Sequence, residues 1–127
     1  MKRIYARKQT LRMGLIFLAC SGWSHAATLV VGKNPSVCRN PAYTTIGAAI
    51  AAAAPDDEIE VCPGLYPEQL VITQSVRLRG IGGNGYQRVL IQPATMTNVQ
   101  NPLPAGAPFQ AVISVINTNN VTIQKLP

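Results

Sequence analysis

Residues 44–66, TTIGAAIAAAAPDDEIEVCPGLY, constrain the fold more than any other part of this chain. Ile46, Ala49, Ile50 and Ala53 recur at helical spacing, so one apolar stripe faces a single direction, and residues 44–54 carry no charge. Thr44 or Thr45 can serve as N-cap, and Pro55 ends the helix. Beyond it the pattern switches to alternation: Ile59 and Val61 point to one face of a strand, Glu58 and Glu60 to the other. Pro63-Gly64 then marks a turn. A helix this short is not stable alone and needs an apolar surface beneath it. The strands that follow supply one.

Those strands are predicted at 58–62, 69–73, 76–79, 88–92, 110–116 and 120–124, all rich in Val, Ile and Leu, with a further one at 27–32 (ATLVVG) before the helix. Residues 33–43, with Asn34-Pro35 and Asn40-Pro41, read as a loop. The links between strands are too short for crossover helices, yet apolar positions recur coarsely. Val61 and Ile91 stand thirty residues apart, and Leu78 and Ile123 further, because 93–109 inserts a loop rich in Pro and Asn. This predicts an all-β chain coiled with three strands per turn, each strand stacking in parallel on its equivalent in the next rung. Fewer than two full rungs are expected. A small antiparallel β-sandwich would satisfy the same strand lengths.

The order of these signals is similar to the opening of a known family. Thr45-Ile46, Ala48-Ala49-Ile50, Pro55-Asp56-Asp57, the strand 59–61, Pro63-Gly64-Leu65-Tyr66, and the stretches 68–72 and 76–80 resemble the N-terminal part of secreted right-handed parallel β-helix proteins. That is the pectin-lyase-like superfamily, which includes pectate lyases and pectin methylesterases. The resemblance implies an incomplete right-handed parallel β-helix, a solenoid with a short N-terminal cap helix, and contact with polysaccharide. Asp56 stands where the family usually has glycine. The catalytic groups of the family lie on later rungs, so the resemblance implies fold more than activity.

The first 26 residues read as a signal peptide. Lys2, Arg3, Arg7, Lys8 and Arg12 form a basic region, 13–20 an apolar one, and Ser24-His25-Ala26 supplies the small residues a signal peptidase reads, with cleavage after Ala26. The apolar run is shorter than the roughly 18 residues a membrane span needs, so no stable span is expected in the mature form. The chain is expected to be secreted or periplasmic, with residues 27–127 as one domain. An alternative is a lipoprotein anchored at Cys20, since Leu18-Ala19-Cys20 resembles part of a lipobox. Leader removal also resets the charge. The formal +6 falls to +1, because six basic residues (Lys33, Arg39, Arg77, Arg79, Arg88, Lys125) then face five acids. The basic excess is a targeting signal, and no nucleic-acid partner is expected.

Cys38 and Cys62 remain in the mature chain, and an even count in an exported protein favours a disulfide; the alternative is two buried free thiols. The other constellations carry less. Gly80-Ile81-Gly82-Gly83-Asn84-Gly85 matches G-x-G-x-x-G, but a dinucleotide site needs a helix after the glycines and here a strand is predicted, so a turn is expected. Asp56, Asp57, Glu58 and Glu60 could coordinate calcium, although carboxylates at such a turn are ordinarily solvated; no metal site is assigned and no cofactor is expected. Asn117, Asn119 and Asn120 read as turn residues.

Catalysis is not expected from this chain itself. Its acids all lie between Asp56 and Glu68, and its only histidine, His25, leaves with the leader, so neither an acid/base pair on adjacent rungs nor an activated nucleophile is available. Arg77 and Arg79 share the outward face of one strand and, with Arg88, form the candidate basic stripe for an acidic polysaccharide; solvated surface charges are the alternative. The expected function is an exported β-helix scaffold or carbohydrate-binding segment. The alternative is the N-terminal portion of a polysaccharide lyase or carbohydrate esterase. The last strands lack a polar capping element, which predicts self-association through the C-terminal rung.

Overall fold

The structure is a computed structural model that describes residues 25–82, 88–100 and 106–126. The described elements follow in the order β1 (Thr28–Val31), α1 (Ile46–Ala52), β2 (Asp57–Val61), β3 (Gly64–Tyr66), β4 (Leu70–Ile72), β5 (Val76–Gly80), β6 (Val89–Ile91), β7 (Ile113–Val115) and β8 (Thr122–Gln124). Residues 1–24, including Cys20, and Gly83 to Gly85 of the glycine motif lie outside the described residues.

Helix α1 forms where the apolar stripe predicts it, with Ile46, Ala49 and Ile50 buried. Its ends explain how so short a helix persists. At the N-terminus the Thr45 hydroxyl accepts from Ala48 N at 3.3 Å, while the Glu68 carboxylate accepts from Ile46 N at 3.0 Å and Gly47 N at 2.8 Å. At the C-terminus the Gln74 amide donates to the carbonyls of Ile50 and Ala53. Groups orphaned by helix geometry are thus satisfied by side chains from either side of β4. The helix stops at Ala52, short of Pro55.

Among the described residues all strand ladders are parallel. They form one four-stranded sheet in the order β1-β2-β5-β8 and two pairs, β3-β6 and β4-β7. The antiparallel sandwich is therefore excluded; the antiparallel contact among the described residues is an isolated bridge between Val99 and Phe109. Register sets Leu29, Ile59, Leu78 and Ile123 in one column across the large sheet. The two pairs align Tyr66 with Ile91, Leu70 with Ile113 and Ile72 with Val115. Inward residues of all three sheets join one apolar cluster that also takes in α1.

Several sequence expectations change in detail. The Pro63-Gly64 turn leads directly into a strand, β3, whose inward Tyr66 is fully buried and donates its hydroxyl to Cys62 O at 2.8 Å. The thirty-residue step belongs to Val31 and Val61, whereas Val61 aligns with Gly80 and not with Ile91. Residues 110–116 contract to the three of β7, because β4 offers only three partners. Asp57 is not solvated. It is 5 % exposed and opens β2 from an inward position. Asp56 beside it adopts φ 70°, a left-handed conformation that Asp tolerates better than most side chains, and Asn117 and Asn120 do the same at φ 53° and 55°.

Cys38 and Cys62 form a disulfide with Cα atoms 5.8 Å apart, fastening the 33–43 loop to the end of β2. The approach is close enough to require glycine at position 32, where an added Cβ would stand 2.8 Å from Cys38 Sγ.

Candidate functional site

The outward face of the four-stranded sheet holds the polar side chains that alternation takes away from the core. Its two columns are Thr28-Glu58-Arg77-Thr122 and Val30-Glu60-Arg79-Gln124. Register alone sets Glu58 beside Arg77 and Glu60 beside Arg79, but Arg79 takes both carboxylates. Its Nε donates to Glu58 Oε1 at 2.6 Å and its Nη2 to Glu60 Oε1. The hydrogen bond that Arg79 donates to Glu58 leads in pushing its guanidinium pKa upward. Arg77 remains exposed on the same strand.

The predicted arginine stripe is thus brought together only in part. Arg77 and Arg79 are neighbours on β5, whereas Arg88 precedes β6, in a different sheet, where its carbonyl accepts from Gly64 N at 2.9 Å. The recess bounded by Glu58, Arg77, Arg79, Thr122 and Gln124 has a volume of about 30 Å³. That is the share of one water molecule, well below the several hundred Å³ of an enclosing ligand pocket. This face can offer a charged, hydrogen-bonding surface to an extended ligand lying across it.

Four of the five acids are built into the fold, and the fifth, Asp56, is exposed in its turn. Asp57 accepts from Ala27 N and Ala54 N, both at 2.7 Å; Glu68 caps α1; Glu58 and Glu60 hold Arg79. Asp57 faces inward while Glu58 and Glu60 face outward, so the acids proposed as calcium ligands do not converge. Among the described residues no three His, Cys, Asp or Glu side chains gather as metal ligands.

A wider recess of about 410 Å³ was not anticipated from the sequence. Val71, Thr97, Val99, Gln100, Ile116 and Asn117 border it, on the outer side of the β4-β7 pair. Gln69 holds its rim: its Oε1 accepts from Thr97 N at 2.9 Å and Thr97 Oγ1 at 2.7 Å, while its Nε2 donates to the carbonyls of Thr97 and Ala111. In register with Val71 stands Ser114, whose buried hydroxyl has no partner among the described residues. The signal was available only as the Pro- and Asn-rich composition of the 93–109 loop, which does not specify where a loop folds back.

The disulfide points to an oxidising, extracytoplasmic environment. Among the described residues no helix is long and apolar enough to cross a membrane. Comparison with protein-family models, with curated proteins and with solved structures finds no match for this chain.

Proposed function

We propose that this chain is the capped first portion of a right-handed parallel β-helix, secreted or periplasmic, that serves as a scaffold or polysaccharide-contacting segment without catalysis of its own. The cyclic return of the strands carries the proposal. The chain runs β2, β3, β4 through three separate ladders; β5 then returns to β2, β6 to β3, β7 to β4 and β8 to β5. A polypeptide that lays parallel strands on three sides in fixed rotation is coiling, and parallel crossovers are right-handed in about 98 % of cases. Helix α1, in contact with β1, β2 and β4, acts as the cap. The likeness of residues 44–80 to the pectin-lyase-like superfamily supports the same reading. Asp56 departs from that pattern in residue type but takes the left-handed φ of 70° that a glycine would supply.

Arg77 is the side chain proposed to meet an acidic polysaccharide, because Arg79 is already committed to two carboxylates. The test is direct. Processed protein should show no turnover of pectin or polygalacturonate, and weak, salt-sensitive retardation in gels containing polygalacturonate that Arg77→Ala abolishes. Turnover that disappears on Arg77→Ala or Arg79→Ala would replace the scaffold with an enzyme.

The far edge favours further association. Val115 and Ile123 align with the fully buried Ile72 and Leu78, yet are 47 % and 41 % exposed. A covering layer, from another copy or from further rungs such as a polysaccharide lyase or carbohydrate esterase would supply, would bury them. The purified processed chain is accordingly expected to sediment as an oligomer; a compact monomer would remove this part of the proposal.

A further inference from the structure

We propose that Asp57 is the receptor for the α-amino group that leader removal creates at Ala27, so that processing adds an ion pair where β1 begins. This rests on the export reading above, with cleavage after Ala26. Asp57 is the one buried carboxylate among the described residues, and it occupies an inward position of β2 where alternation calls for an apolar side chain. Its Oδ2 accepts from Ala54 N at 2.7 Å, which ties it to the end of the α1 segment. Its Oδ1 accepts from Ala27 N, also at 2.7 Å. That nitrogen is the atom which cleavage after Ala26 converts from an amide to an ammonium.

The surroundings suit the charged form. Residues 25–28 are exposed, so the other two ammonium hydrogens reach solvent while the third keeps its bond to the carboxylate. Ala27 O accepts from Glu58 N at 2.9 Å, which holds the new terminus in strand geometry. Of the neighbouring charges, Asp56 is exposed in its turn, and Glu58 points to the outer face and is held by Arg79. The register neighbour on β5 is uncharged Val76. Replacing a neutral donor by an ionised one converts a charge-assisted hydrogen bond into an ion pair with the same geometry.

Four exported proteins test this: wild type, a variant with two serines inserted between Ala26 and Ala27, and Asp57→Asn in each background. Intact mass first fixes the N-terminus. With Ala27 at the terminus, its amine should acylate at pH 7.5 at least about sixfold more slowly than the terminal amine of the serine-insertion protein, corresponding to a pKa rise of about one unit or more. The insertion should lower the thermal midpoint by about 4–8 °C in the wild-type background and leave it unchanged in the Asp57→Asn background. If Asp57→Asn prevents folding, the wild-type and insertion proteins still give both readouts. An N-terminus elsewhere overturns the export reading and this proposal together. An Ala27 terminus that acylates as fast as the insertion protein, at equal midpoints, overturns the ion pair alone.

Discussion

The column Leu29-Ile59-Leu78-Ile123 should behave energetically as a stack in which only adjacent layers feel one another. Leu78 is fully buried between Ile59 and Ile123, so Leu78→Ala removes three carbons from a site closed above and below. Buried Leu→Ala substitutions cost about 2.7–5 kcal/mol, and with two strands pinning the backbone the cavity cannot collapse, so about 3–4 kcal/mol is expected. In a domain of this size that lowers the thermal midpoint by about 15–25 °C. Ile123→Ala, at 41 % exposure, should cost about 1 kcal/mol. The pairwise terms are more specific. Leu78→Ala and Ile123→Ala touch neighbouring layers and should deviate from additivity by at least about 0.5 kcal/mol. Leu29→Ala and Leu78→Ala are two strand spacings apart, roughly 9.6 Å, and should add within about 0.5 kcal/mol. Urea denaturation of these single and double variants measures all of this. A Leu78→Ala cost below about 1 kcal/mol, or strong coupling between positions 29 and 78 with none between 78 and 123, would refute the stack.

Three further outcomes are expected. Closing a loop of sequence separation 24, the Cys38–Cys62 bond should contribute about 3 kcal/mol, and the non-reduced exported protein should show no reactive thiol at either position. Gly80→Ala would drive a Cβ to 2.2 Å from the Lys125 carbonyl oxygen; a loss of about 1–3 kcal/mol, with hydrogen-exchange protection lost in β8 before β5, is expected. Tyr66, with its pKa raised by burial and then by Glu68, keeps its proton in the folded state when the unfolded chain has lost it. Its contribution is therefore complete below pH about 10 and falls as pH rises through the higher folded value. Tyr66→Phe should cost about 1 kcal/mol at neutral pH for the lost bond to Cys62 O and make the alkaline limb of a stability profile shallower. An unchanged alkaline limb would contradict the assignment.

What the sequence made legible was whatever depends on local periodicity. The stripe of Ile46, Ala49 and Ile50 located α1, and the alternations in DEIEV and VRLRG located β2 and β5 with their correct inward faces. Exported-chain cysteine arithmetic paired Cys38 with Cys62. What failed needed knowledge of partners. β3 is only three residues long, with Tyr66 its sole fully buried side chain, so no period could reveal it behind Pro63-Gly64. Strand lengths do not distinguish parallel from antiparallel ladders. Arg79 looked equivalent to Arg77 until the fold set it beside Glu60 and let its side chain reach Glu58 as well. Asp57 was read as one acid of a surface turn, because only the fold brings Ala27 and Ala54 to its two oxygens.

The proposed coil is tested most directly by interstrand nuclear Overhauser effects in the purified protein. Parallel contacts should connect Arg77 with Thr122 and Leu78 with Ile123, Leu65 with Leu90, and Val71 with Ser114. Each set should link backbone amide and α protons in the evenly spaced, slanted pattern of parallel strands. Close α-to-α proton contacts between chain-consecutive strands, such as β4 with β5, would instead mean antiparallel hairpins at about 4.5 Å Cα spacing and would contradict the account.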